Sequence, residues 1–226
     1  MRKEIHEFRS VGLILAFIGG AVDLYTYMHY DSFASAQTGN LILAIMQTID
    51  GQWGSVWKKF LSTLFFFLGV FFGKALMHYF RKRNWPFWRL IILYTETLLF
   101  FLFSLSFIHT KATLVTIIIS FITAAQWISF DKINGRVYTS LFTTGNLKGM
   151  ASGLYDYLLT KDHKALATFI HFALVVAAFL IGAVVLGISY RLFAEKSILI
   201  VAFLFLYLSI SQTILVLRFY RSDYPA

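Results

Sequence analysis

The sequence predicts an all-α protein, a polytopic bundle of transmembrane helices, and three observations predict it. Of the 226 residues 58% are hydrophobic and 14% charged, with a mean hydropathy of +0.70, values that would not keep a soluble domain of this size in solution. The apolar residues come in blocks of about 20, the length of a helix that crosses a bilayer, rather than in the alternating segments of about 10 that build a membrane barrel. The tripeptide Thr-Gly-Asn occurs twice, at Thr38-Gly39-Asn40 and Thr144-Gly145-Asn146, each time after an apolar stretch and before a leucine.

Taken in order, the apolar blocks give six spans, at 11–30, 60–80, 87–109, 112–130, 165–189 and 197–217. The first imitates a signal peptide, with Arg2 and Lys3 ahead of it and Ala34-Ser35-Ala36 resembling a cleavage site. Asp23, His29 and Asp31 make the intervening stretch too long and polar for a cleavage region, so the segment is expected to stay as a span. Two connections, 31–59 and 131–164, are longer than the rest. Each carries its tripeptide and a further apolar stretch, predicting a short helix that does not span. Thr or Asn is expected to cap that helix, and Gly39 or Gly145 to let the backbone change direction.

With the amino terminus inside, 15 basic residues fall on the cytoplasmic side and 5 outside. The Arg81-Lys82-Arg83 cluster is the strongest single vote, and the positive-inside rule favours both termini in the cytoplasm of a plasma or inner membrane. A net charge of +9 would suggest nucleic acid in a soluble protein, but here the cations edge apolar spans, so none is expected as a partner. Aligning the tripeptides divides the single 1–226 domain into halves, 1–110 and 111–226, of three spans each. Three is odd, so the second half enters from the opposite side, an inverted-topology repeat in which discontinuous helices hold a substrate near the midplane.

Gly19-Gly20-Ala21-Val22-Asp23, Ala36-Gln37-Thr38-Gly39-Asn40-Leu41, Ala125-Gln126 and Thr143-Thr144-Gly145-Asn146-Leu147 carry a family resemblance. The chain is similar to the YoaK-like family of bacterial six-helix membrane proteins, a family of unknown function. The resemblance implies a multi-pass membrane protein and no particular substrate. Ser129 stands where the tripeptide alignment places a partner for Asp23, so any site is asymmetric.

Asp23 lies about 20 Å along the first helix from Arg9. A charge at that depth costs on the order of 2.5–3.5 kcal/mol, so a polar cavity, a partner, a proton or a capping role is expected for it. Glu96 is the other acid well inside a span and the weaker ion-coupling candidate, being closer to the cytoplasmic Arg89. Gln37, Thr38, Gly39, Asn40, Gln126, Thr144, Gly145 and Asn146, with Asp23, form the candidate substrate site. Their neutral donors and acceptors suit a small polar or ionic solute, and half-helix amino termini would welcome an anion. The same amides also serve as interhelical glue at about 0.6–2 kcal/mol each.

Gly69 and Gly73, and more loosely Gly182 and Gly187, read as packing faces within one protomer or between two, so a homo-oligomer is compatible with the sequence. There is no cysteine, no metal-ligand spacing among the histidines and no enzyme signature, so catalysis, metals and cofactors are not expected. The favoured reading is a proton- or sodium-coupled secondary transporter or facilitator. The alternative is a non-transporting scaffold or regulatory subunit, with a channel third.

Overall fold

The computed structural model describes residues 5–83, 85 and 87–223; Arg2 and Lys3, used above for orientation, lie outside the described residues. Its helices are α1 (Arg9–Tyr30), α2 (Gln37–Ile49), α3 (Trp53–Lys82), α4 (Trp88–Phe103), α5 (Ser106–His109), α6 (Ala112–Ser129), α7 (Thr144–Thr160), α8 (His163–Phe193) and α9 (Leu199–Asp223). Four stretches are helical, long and apolar enough to cross a membrane: Arg9–Tyr30, Trp53–Lys82, Ala112–Ser129 and His163–Arg218. The chain is therefore a predominantly helical membrane protein of the all-α class. The last stretch has 56 residues, about 84 Å as a single helix against a hydrocarbon core of about 30 Å. A 3-10 turn at Ala194–Ile198, opened by Ala194 at φ 47°, divides it into α8 and α9.

The block at 87–109 is broken. The α4 helix stops at Phe103, where the Ser104 hydroxyl turns back to the Phe101 carbonyl at 2.7 Å, and the short α5 follows. Serine competes with the helical ladder for backbone acceptors, which is why a hydropathy window runs through a break that the backbone does not. Both short helices in the long connections are present, as α2 and α7. They are longer than the apolar runs that suggested them, because their polar residues are helical too.

Core and periphery follow the sequence of each helix. In α1 67% of the apolar window is buried and in α6 56%, against 17% in α3. Small residues let α1 and α6 sit at the centre, whereas the phenylalanines of α3 face outward. The α1 helix packs along α8, α3 along α6, α2 on α3, α7 on α8, and α4 on α9. Backbones meet in the first two pairs: a Cβ on Gly182 would stand 1.9 Å from the Phe17 carbonyl oxygen, and one on Gly69 would stand 2.1 Å from that of Phe121.

Ahead of α7, a two-stranded hairpin, β1 (Lys132–Ile133) and β2 (Arg136–Val137), turns at Asn134-Gly135, both at positive φ. Its turn is held to the amino terminus, with Asn134 N–H donating to the Glu7 carbonyl at 2.8 Å and Gly135 N–H to the Glu7 carboxylate at 2.6 Å.

Candidate functional site

The two tripeptides open α2 and α7, and their asparagines do the same thing in each. Asn40 Oδ1 accepts from Phe33 N–H and Asn40 Nδ2 donates to the Phe33 carbonyl, both at 2.8 Å. Asn146 Oδ1 accepts from Thr139 N–H at 3.2 Å, and its Nδ2 donates to the Thr139 carbonyl at 2.7 Å. In both cases the partner is seven residues earlier, so the amide stands in for a missing peptide and closes the irregular lead-in on itself. Inside a bilayer no water would satisfy those backbone groups.

This corrects two expectations. Neither helix is capped by a tripeptide side chain: the caps are Ala36 and Thr143, without a side-chain cap bond. The chain does not turn at Gly39 or Gly145, which are helical; before α2 it turns at Asp31, in the left-handed region at φ 53°. Thr38, Thr144 and Gly145 lie on exposed faces, apart from the buried asparagines.

The first half is the more heavily bonded. Asn40 Nδ2 also donates to Gln37 Oε1 at 2.9 Å and lies 3.2 Å from Ser62 Oγ. Gln37 Nε2 donates to the Ala34 carbonyl at 2.8 Å, and Ser62 meets Ser120 of α6 hydroxyl to hydroxyl at 2.7 Å. Asp23 reaches the lead-in from α1: Ser35 N–H donates to its Oδ1 at 2.7 Å, and Ser35 Oγ lies 2.7 Å from its Oδ2. The same Ser35 Oγ is 2.7 Å from the Leu141 carbonyl oxygen in the lead-in to α7. Ser35 and Leu141 occupy equivalent places, five residues before Asn40 and Asn146.

Asp23 thus finds the Ser35 hydroxyl and the backbone amides of Ala34, Ser35 and Ala36 rather than a cation. Its counterpart Ser129 donates back to the Ala125 carbonyl at 2.6 Å within α6, while its own carbonyl accepts from Arg89 Nε at 2.8 Å.

Several buried polar atoms have no hydrogen-bond partner among the described residues: both side-chain atoms of Gln126, Ser140 Oγ, Thr143 Oγ1, His171 Nε2 and both oxygens of Glu96. Glu96 is fully buried on α4 and does not snorkel. Among the described residues nothing joins it to Asp23 by hydrogen bond or ion pair. An apolar groove along α4, lined by Leu90, Ile91, Tyr94 and Leu98 among others, contains none of the candidate residues.

Sequence reading missed a second polar cluster where α1 and α2 end and α3 begins. The fully buried Lys59 pairs with Asp31 at 2.7 Å and donates to Gln47 Oε1 at 3.0 Å, and Lys58 donates to the Tyr30 carbonyl. Burial pushes the Asp31 carboxyl up, but the hydrogen bonds from Lys59 and Gln47 and the charges of Lys59 and Lys58 together hold it below the usual carboxylate range. A lysine beginning an apolar helix and an aspartate ending another were the available signal.

Residues 11–211 match the family described as "Protein of unknown function (DUF1275)". The chain belongs to this DUF1275 family. The match spans both tripeptides, Asp23, Glu96 and Gln126, and with them every residue of the site just described. It brings DUF1275 membership without an assigned activity, and the YoaK-like name is no part of it. No curated protein and no solved structure matches the chain significantly.

Proposed function

We propose that this DUF1275 protein is a secondary transporter or facilitator of a small polar solute, crossing the membrane six times as a three-plus-three inverted-topology repeat with both termini cytoplasmic. The observation that carries the reading is the asparagine clamp, repeated at two equivalent positions with the same seven-residue reach. The helix pairings support it. Exchanging α1 with α6, α2 with α7, α3 with α8 and α4 with α9 turns the α1–α8 contact into α3–α6 and the α2–α3 contact into α7–α8, and leaves α4–α9 unchanged. In such repeats the discontinuous segments meet near the midplane and hold the solute. Here the groups near the lead-ins left to do so, among the described residues, are Gln126, Ser140 and Thr143, since both asparagines are already engaged. The reading assigns no chemical step and no cofactor.

The alternative, a scaffold or regulatory subunit, is favoured by that same engagement of the asparagines. A thermal-stability screen of purified protein against small polar metabolites and ions separates the two. A ligand at about 100 times its dissociation constant adds about 2.7 kcal/mol. Transport requires a stabilising compound whose effect is lost in Gln126→Leu but kept in an exposed-face control such as Thr38→Ala. If nothing in a broad library stabilises the wild type, and Gln126→Leu melts higher than wild type, the scaffold reading stands instead.

A further inference from the structure

Ser35 joins the two halves of the chain through a single atom. Its Oγ is 2.7 Å from Asp23 Oδ2 and 2.7 Å from the Leu141 carbonyl oxygen. Oxygens that close need a hydrogen between them. A serine hydroxyl has one to give, the Leu141 carbonyl has none, and the Ser35 N–H is already directed at Asp23 Oδ1. The second hydrogen can come only from the carboxyl.

We infer that Asp23 binds a proton in this arrangement: its O–H donates to Ser35 Oγ, and the Ser35 hydroxyl donates to the Leu141 carbonyl. A proton held in α1 thereby makes the bond that ties the lead-in of α2 to the lead-in of α7. When the proton leaves, the serine hydrogen goes to the carboxylate, since an ionised acceptor makes the stronger bond. Two lone pairs then face each other between Ser35 and Leu141, and the tie opens.

No charged side chain on α6, α8, α9 or either lead-in interacts with Asp23 among the described residues, so no salt bridge competes with the proton. A sodium ion fits poorly, because Oδ1 already accepts from Ser35 N–H and Oδ2 already lies 2.7 Å from Ser35 Oγ. Resting on the transporter reading, this names the coupling ion as a proton; the binding itself is measurable without any solute.

The test uses purified full-length protein in detergent. Infrared spectra across about pH 5 to 8, the window in which physiological proton switches operate, are compared for wild type and Asp23→Asn. The expected result is a protonated-carboxyl band in wild type that shifts in heavy water and is missing from Asp23→Asn. Asparagine can donate where the protonated acid would, so Asp23→Asn is also expected to melt with wild type at the acid end and above it at the alkaline end. Ser35→Ala, which removes the tie, should abolish that pH-dependent difference. Identical carboxyl bands in wild type and Asp23→Asn would overturn the inference, as would an Asp23→Asn variant that melts lower by the same amount at every pH. A titrating Asp23 band alongside a failed solute screen would sink transport and leave the proton site standing; a solute hit with no such band would do the reverse.

Discussion

Replacing Asn40 by alanine removes more than a side chain, because the peptide groups it clamps have nowhere else to turn. The Phe33 N–H and C=O each lose a 2.8 Å bond, and the links to Gln37 and Ser62 go as well. A buried backbone group left unpaired costs about 1–3 kcal/mol. Two such groups give about 2–6 kcal/mol, and the interhelical amide bond adds about 0.6 kcal/mol. For Asn146 only the Thr139 pair is at stake and one of its bonds is long at 3.2 Å, so the lower part of that range applies.

Converted at roughly 2–4 °C per kcal/mol for a chain of this size, Asn40→Ala should lower the melting temperature in detergent by about 5–25 °C and Asn146→Ala by less. Asn40→Asp sharpens the test. A carboxylate keeps the acceptor for Phe33 N–H but loses the donor to its carbonyl, so it should rescue part of the loss at most. The measurement is thermal unfolding followed by intrinsic tryptophan fluorescence. If Asn40→Ala melts within about 1 °C of wild type, or if Asn146→Ala costs more, the peptide-mimic account of the tripeptides is wrong.

The remaining expectations concern the frame and its polar exceptions. Gly69→Ala and Gly182→Ala each drive a methyl group into a facing carbonyl oxygen, and overpacking of this kind costs about 1–3 kcal/mol; similar losses at the two sites are expected by thermal unfolding, and a neutral Gly182→Ala would argue against close packing of α1 on α8. At Asp31 the folded carboxyl is held below its unfolded value, so its contribution to stability is present above the ordinary carboxylate range and is lost as pH falls through the depressed value. Asp31→Asn should therefore flatten the acid limb of a melting-versus-pH curve, and because it leaves the buried Lys59 unpaired, adding Lys59→Met should restore part of the stability. Among the described residues Glu96 has neither a donor nor a cation, so Glu96→Leu should raise the melting temperature; a drop of several degrees would mean that the acid has a partner in the folded protein.

Much of this architecture was legible because bilayer length and small polar motifs are written locally. The spans that became α1, α3 and α6 could be drawn from hydropathy, and the two tripeptides marked where short helices begin. What could not be read was which way a side chain turns. The Thr-Gly-Asn pattern resembles a helix cap, yet both asparagines reach backward by seven residues, a choice decided by the irregular lead-ins that only the folded chain displays. Ser104 ends α4 inside an unbroken apolar block for the same reason: hydropathy does not register a hydroxyl bonding its own backbone. The hairpin at Asn134-Gly135 was there to be read, since Asn-Gly between short β-branched runs is a strong turn signal, but it sits in a segment assigned as a connection. The Asp31–Lys59 pair spans 28 residues, beyond any local pattern.

The features common to both halves and the features confined to one divide the labour between them. The clamped asparagines and the glycine contacts of α3 with α6 and α8 with α1 are common, and each satisfies a group or fills a gap that would otherwise destabilise the bundle. They build a frame, and a frame needs no more than that. The differences have no such account. Asp23 has Ser129 in the corresponding place, Ser35 has Leu141, and Gln126 corresponds to Gly20, with both its amide atoms unpartnered among the described residues. Stability alone would favour an apolar or bonded residue at Gln126 and a neutral one at Asp23, since buried polar groups that lack a partner or must hold a proton weaken a membrane core. Polar groups kept at a cost are where function is expected. Along the Asp23–Ser35–Leu141 line a buried acid of the first half is linked, through one serine hydroxyl, to the backbone of the second, so a change in the protonation of Asp23 has a direct physical route from one half to the other.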